Sequence, residues 1–386
     1  MRKLLATAAA VVFAAGTAMA DQGVTDDEIV LGSHNDLSGP FAAFGAPAIQ
    51  AAQMYFDEVN AAGGVHGRKI RLVVEDHGYQ VPKAVQAANK LINRDKIFAM
   101  FMGLGTPHNL AAFKLQERKR IPNFLPLSAA RQMLGDPIDL KFVSFSSYYD
   151  GIREGVKYMK ENEGSTTVCP MYIPSDFGKE IAAGAKDEAE ASGMTYAAET
   201  THKPDETDYV GSLTKLKDAG CDLIPIALSI RGVITAVATA KKLQWTDVKF
   251  LGSSAAFHTA IAKVPGGVTE GFYAGAGWQD LEARVGSDPE VAAWVQSYTE
   301  ATGEKFPGTG ALLGRSGAEA MVRALEAAGP DLTVDSFLKA VEGLAYDDKI
   351  MGASVDFGED HLGSSKVFIS KIENGSWTVV GTAGEM

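Results

Sequence analysis

Cysteine is scarce in this chain of 386 residues: Cys169 and Cys221 are the only two. With no CxxC pair and no His-Cys spacing, neither a thiol redox centre nor a zinc cluster is expected. The seven histidines are scattered without ligand spacing, so no metal site is assigned. Basic residues are outnumbered, 36 against 48 acidic, which argues against nucleic acid and against an anionic lipid surface as partners. After residue 20 no apolar run approaches the roughly 20 residues of a membrane-spanning helix. G-x-S-x-G, P-loop and H-E-x-x-H motifs are missing too, and Gly103-x-Gly105 lacks the third glycine and the acidic residue of a dinucleotide site. No catalytic residue and no cofactor is assigned, and an enzyme is not expected.

What is present begins with an export signal. Met1-Arg2-Lys3 is a basic start, Leu4 to Ala15 an apolar stretch too short to span a bilayer, and Ala18-Met19-Ala20 a small-x-small cleavage box. Cleavage after Ala20 leaves 34 basic and 48 acidic residues, a net charge of −14. No cysteine follows the box to accept a lipid, so the mature protein is expected free in the periplasm, without stable membrane insertion. Hydrophobic content of 46% with 22% charged residues suits globular packing at a length that accommodates two domains. In an exported compartment Cys169 and Cys221 are either a disulfide or two buried thiols. Both readings are structural.

Ile29-Val30-Leu31-Gly32, bounded by turn residues, predicts a strand buried on both faces. After the turn Leu37-Ser38-Gly39-Pro40-Phe41, Ile49, Ala52, Phe56 and Val59 recur at helical spacing, and Gly63-Gly64 supplies a left-handed stop. Strands over 70–75, 97–102 and 123–127 then alternate with helices over 81–93 and 107–118. A second series repeats the pattern: helices over 149–161, 177–191, 209–219 and 231–243, strands over 167–173, 194–200, 223–228 and 248–252. Such alternation implies right-handed crossovers and parallel sheets covered on both faces. A return strand at 271–275 leads to helices over 290–302, 311–328 and 334–342, and the chain ends in strands at 366–371 and 377–380. Pro170 and Pro225 fall inside two of these strands, where a missing N–H breaks the ladder.

The turn Leu37-Ser38-Gly39-Pro40 with Phe44-Gly45, the run from Asn60 to Arg68, Ile121-Pro122 and Asp176-Phe177-Gly178 together resemble the solute-binding proteins of branched-chain amino-acid-type ABC importers, the type I periplasmic binding proteins. The resemblance covers the whole mature chain. It implies an α/β fold of two Rossmann-like doubly wound lobes joined by a three-strand hinge: lobe 1 from 21–143 plus 275–353, lobe 2 from 144–274 plus 354–386, with the third crossing near Ser354-Val355-Asp356-Phe357. It also implies a small-molecule ligand bound by hinge closure, an ABC permease and ATPase complex as partner, and a monomer. A ligand-sensing subunit of a receptor system has the same binding half.

In doubly wound sheets ligands collect at the carboxyl ends of strands, beside helix N-termini. Three loops of the first half qualify: Ser38 with Phe41 and Phe44; Gly105, Thr106 and His108; Ser128, Ala129 and Arg131. Thr106 before Pro107 reads as an N-cap, and its family position implies that it also accepts a ligand carboxylate. The second half offers Phe177, Ser229, Arg231 and Ser254. Arg131 and Arg231 are the bidentate carboxylate candidates. By resemblance Phe44 and Phe177 stand where relatives often carry tyrosine. Gly252-Ser253-Ser254-Ala255 lacks the acidic residue that receives the ammonium of an amino-acid ligand, and an unpaired buried ammonium costs several kcal/mol. A carboxylate without an amine, with an apolar or aromatic body, is therefore favoured over a branched-chain amino acid, unless Asp176 or Asp280 supplies the missing charge.

Overall fold

The structure, a computed structural model, describes residues 21–384; the export-signal reading of residues 1–20 lies outside them. The chain opens with β1 (Glu28–Asn35), α1 (Ala42–Ala61), β2 (Lys69–Asp76), α2 (Val81–Asn93), β3 (Ala99–Phe101), α3 (Thr106–Lys119), β4 (Asn123–Phe124) and β5 (Lys141–Phe142). These strands form a parallel sheet in the order β2-β1-β3-β4-β5. The first helix starts earlier than the apolar spacing predicts, directly after Phe41. Pro47 sits inside it, past the first turn, so the Ala43 carbonyl has no intrahelical donor; His258 Nε2 lies 3.2 Å from that oxygen.

The second series runs α4 (Tyr148–Glu163), β6 (Thr167–Val168), β7 (Met171–Tyr172), α5 (Asp176–Ala191), β8 (Thr195–Tyr196), β9 (Thr200–Thr201), α6 (Val210–Asp218), β10 (Leu223–Ala227), α7 (Ile230–Lys242), β11 (Lys249–Gly252), α8 (Thr259–Ala262) and β12 (Tyr273–Ala276). The chain then returns through α9 (Pro289–Thr302), α10 (Thr309–Ala328) and α11 (Val334–Glu342). The hairpin β13 (Ala345–Asp348) and β14 (Ala353–Asp356) follows, and β15 (Val367–Glu373) with β16 (Ser376–Ala383) closes it. The second sheet is ordered β16-β15-β12-β11-β10-β6-β8, with β7 and β9 continuing the path beside β10. Strand β15 is antiparallel to both β12 and β16.

Two strands expected as continuous, 167–173 and 194–200, are each split, and the two prolines explain the split. Val168 pairs with Leu223 and Met171 with Ile226, so Pro170 lies opposite Pro225 in an unbroken register. Both missing N–H groups therefore fall at one gap instead of interrupting the sheet twice. The disulfide between Cys169 and Cys221 staples the same place.

Helix α10 lies against α1 because its small residues permit it. A Cβ on Gly314 would come 2.0 Å from the Ala48 carbonyl oxygen, and one on Gly310 would come 2.5 Å from that of Phe44. This contact returns the last three long helices to the first sheet and fixes the start of α1.

Three connections join the two sheets and are tied to one another. The Val143 amide donates to the His361 carbonyl (3.0 Å) and the Gly363 amide to the Val143 carbonyl (2.8 Å). Gln279 donates its amide to Met351 (3.0 Å) and its side chain to the Gly352 carbonyl (2.7 Å). Arg284 adds guanidinium bonds to the carbonyls of Gln279, Asp280, Lys349 and Ile350. One expectation changes here: of Ser354-Val355-Asp356-Phe357, read as the third crossing, the first three residues belong to the second arm of a hairpin turned at Asp348, whose carboxylate accepts from the Met351 amide (2.8 Å). The chain reaches the second sheet only at β15.

Candidate functional site

Between the two sheets lies a narrow cavity of about 50 Å3, and its lining is mostly aromatic and aliphatic. Phe41, Phe44, Tyr79 and Leu313 enter from the side of the first sheet; Phe145, Tyr148, Phe177 and Trp278 come from the crossings and the second half. Phe41 meets Phe177 edge-on with centroids 5.9 Å apart, and Phe44 meets His258 at 4.6 Å. The halves thus touch through rings. Glycines place the two phenylalanines: a Cβ on Gly45 would come 2.3 Å from Asn35 Oδ1, and one on Gly178 would come 1.9 Å from the Ile173 carbonyl oxygen. Both glycines belong to the first turns of helices pressed onto strand ends.

The polar part of the lining is small and sits at the N-terminus of α3. Thr106 Oγ1 lies 2.7 Å from Ser128 Oγ. Two hydroxyls carry two protons, and their mutual bond engages one of them, so one O–H is left to donate to a ligand. The first amides of a helix have no intrahelical acceptor, and the helix dipole favours an anion there. Thr106 was read as the cap of this helix. Gly105 occupies that position, with φ +98°, and Thr106 makes no capping bond. Asn109 holds the loop from below, donating to the carbonyls of Gly103 (2.8 Å) and Gly105 (2.9 Å). The Thr106 hydroxyl is thereby free to face the cavity.

The second half supplies Ser254 and Trp278. Ser254 Oγ and Trp278 Nε1 are both buried and have no hydrogen-bond partner. Ala255 completes this wall. Burial pushes the Tyr148 phenol up to about 12, and it raises that of Tyr79 as well; both remain neutral donors. No acidic or basic side chain lines the cavity.

Six residues singled out from sequence lie elsewhere. Ser38 is exposed and gives its hydroxyl to Asp76 (2.6 Å). Ala129 is buried behind the lining, its carbonyl accepting from the Tyr148 amide (2.8 Å). His108 packs beneath Gly105, stacked on His77 with centroids 4.5 Å apart. Ser229 caps α7, accepting from the Gly232 amide (3.2 Å). Arg231 is exposed at an outer cleft beside Asp205 and Glu206. Arg131 lies over the Tyr149 ring and donates Nε to Glu180 (2.8 Å); a buried glutamate has claimed the charge proposed for a ligand. Asp176 is exposed, and Asp280, though buried with its carboxyl raised by that burial, does not line the cavity. Neither replaces the missing acid.

Tyr79, Tyr148, Trp278 and Leu313 were not singled out. Tyr79 follows the carboxyl end of β2, so the rule that selected the loops after β1, β3 and β4 reaches it too. Tyr148 and Trp278 stand at the crossings, where ring-bearing residues next to a chain reversal were the available signal. Leu313 lies in the middle of a buried helix face, and nothing in the sequence separates it from core.

Below the α3 loop are three buried histidines. His34 and His77 have centroids 5.6 Å apart, and neither His34 nor His108 has a ring nitrogen with a partner. Burial, with mutual repulsion, lowers His34 and His77 to about 3, and burial lowers His108 to about 4. The stacked rings do not converge on a common point, and among the described residues no group of side chains fits a metal ion.

Comparison with known proteins places this geometry. Residues 28–376 match the family model described as periplasmic binding protein. The leucine-, isoleucine-, valine-, threonine- and alanine-binding protein of Pseudomonas aeruginosa is 22% identical over 340 residues, covering 86% of this chain and 88% of the relative. Among solved structures, a fatty acid ABC transporter substrate-binding protein from Thermomonospora curvata superposes with a TM-score of 0.85 at 26% identity, covering 95% of each chain. An ABC transporter solute-binding protein from R. palustris in complex with benzoate superposes at 0.81 and 17% identity, covering 92% of this chain and 96% of that one.

Proposed function

The chain belongs to the periplasmic binding protein family, and from that premise we propose that it captures a small carboxylate without an α-amino group and hands it to an ABC permease and ATPase. The observation that carries this reading is the lining of the cavity: hydroxyls and a helix N-terminus for an anion, seven aromatic rings, and no carboxylate to receive an ammonium. An amino-acid ligand would bury its ammonium unpaired, at a cost of several kcal/mol. That the benzoate complex and the fatty acid binder share this fold agrees with an acid bearing an apolar body.

Thr106, Ser128 and the first amides of α3 hold the carboxylate, and the rings of both halves enclose the body. The two sheets with their covering helices act as two lobes that close about the tied crossings. The protein works as a monomer outside the cytoplasm after cleavage at Ala20. No helix of the described residues is long and apolar enough to cross a membrane.

A thermal-shift screen of the mature protein tests the reading, since a ligand bound only by the folded state raises the melting temperature by mass action. Aromatic and aliphatic carboxylates are expected to stabilise it, and amides and α-amino acids to leave it unmoved. Stabilisation confined to α-amino acids would overturn the proposal.

A further inference from the structure

Trp278 and Ser254 make a second polar element in the cavity, separate from the hydroxyls at α3. Trp278 is 1% exposed and Ser254 3% exposed, and Trp278 Nε1 and Ser254 Oγ have no partner. The two are linked through Phe257: Trp278 packs edge-on against its ring at 6.0 Å, and its amide donates to the Ser254 carbonyl at 3.2 Å. Both line the cavity with Thr106 and Ser128, Ser254 following β11 and Trp278 following β12 of the second sheet while Thr106 and Ser128 follow β3 and β4 of the first. An indole N–H only donates, and a buried donor left unpaired costs about 1–3 kcal/mol. An apolar end group on the ligand would leave that cost in place. A ligand ammonium, having no lone pair, would leave it too. A second carboxylate would be buried with no cation among the lining residues.

We propose that the ligand carries a neutral hydrogen-bond acceptor, such as a hydroxyl, ether or ketone oxygen, at the end opposite its carboxylate, and that Trp278 and Ser254 select it. This rests on the carboxylate reading above and goes beyond it by specifying both ends of the molecule.

Calorimetric titration of paired acids tests it: 4-methylbenzoate against 4-hydroxybenzoate and 4-methoxybenzoate, their 3-substituted isomers, and hexanoate against 5-oxohexanoate. The oxygen-bearing member of at least one pair is expected to bind about tenfold more tightly, one neutral hydrogen bond's worth. That ratio should collapse towards one in Trp278→Phe, and shrink in Ser254→Ala, which guards against a tryptophan variant that fails to fold. Of the four indole N–H resonances, the one assigned to Trp278 should move downfield with the oxygen-bearing acid and stay in place with the methyl analogue. Carboxylates that bind with no preference for the oxygen, or a preference that survives Trp278→Phe, would overturn this inference and leave the carboxylate reading standing. If no carboxylate in the panel binds, both fall.

Discussion

The two halves of this molecule share a topology and divide the work unequally. The first sheet presents its strand ends to the ligand with little spent on its own integrity: a helix N-terminus whose threonine is freed from capping, and beneath it three neutral histidines with four ring nitrogens unpaired. The second half is braced. A disulfide spans its strands where two prolines interrupt them, Ser229 caps α7, and its contribution to the cavity is mostly ring surface. The contrast separates two regions within one fold: the first half carries the hydroxyls and the helix N-terminus above its unpaired histidines, and the second carries most of the enclosing rings, with the unpartnered Ser254 and Trp278, on a stapled sheet.

The contrast breaks most visibly if the brace is removed. The disulfide closes a loop of 52 residues, for which chain entropy gives a stabilisation of about 4 kcal/mol. Reduction, or Cys169→Ala with Cys221→Ala, should split the calorimetric transition, the second half melting first and the first half keeping its melting temperature. Coincident loss of both would show that the halves unfold as one unit.

Acid should do the reverse. His34, His77 and His108 have folded values of about 3, 3 and 4, below the 6.5 of the unfolded chain. Below pH 6.5 the unfolded state therefore binds more protons, so stability is fully present above 6.5 and falls as pH drops from there towards the folded values. At pH 5 the loss is up to about 2 kcal/mol for each histidine that stays neutral in the fold. Hydrogen exchange at pH 7.5 and 5 should show β1 and α3 losing protection before β10 and β11. The second half has one such group, the buried His258, lowered by burial to about 4, against three in the first; His202 is bonded to Thr200 and Glu206. A His34→Phe variant should flatten the pH dependence.

The anchoring hydroxyls come next. Hydrogen bonds to a charged group contribute about 1.5–3 kcal/mol each, so Thr106→Val or Ser128→Ala should weaken a carboxylate ligand roughly 10- to 100-fold, with the melting temperature of the free protein changed little. The matching change on the covering side, Phe177→Leu, should cost less affinity, because a ring is exchanged for another apolar group and no polar partner is stranded. Equal losses on the two sides would remove the distinction between holding and covering.

How much of this the sequence carried differs along the same divide. Element order was legible because strands buried on both faces read as short apolar runs and helices as periodic ones. Phe41, Phe44, Gly105, Thr106, Ser128, Phe177 and Ser254, which line the cavity, all follow strand ends, where the topology alone makes a site. The arginines misled because a guanidinium at a helix start looks the same in sequence whether it meets a ligand or a buried glutamate 49 residues away. Trp278 was missed because its place depends on a crossing between sheets, which no local pattern announces. The paired prolines became intelligible only once the register set them opposite each other.

The misleading arginine bears on the smallest effect. Arg131 follows β4 of the first half, and Glu180 lies in α5 of the second, so their pair bridges the halves outside the ligand cavity. Glu180 Oε1 accepts from both the Arg131 amide (3.0 Å) and Nε (2.8 Å), and the guanidinium stacks on Tyr149, also of the second half. Every one of these contacts is lost if the halves separate, so the pair weighs on closure and not on recognition. The arginine is half exposed, which limits the contribution to roughly 1 kcal/mol. Glu180→Gln should therefore raise the dissociation rate of any ligand about fivefold, alike for all ligands, and shift solution scattering of the free protein towards a more extended form. Thr106→Val should alter the ranking of carboxylates against neutral analogues and leave that scattering profile alone. If Glu180→Gln changed the ranking instead, the pair would be acting through the cavity, and the separation between the half that reads the ligand and the half that shuts over it would have to be redrawn.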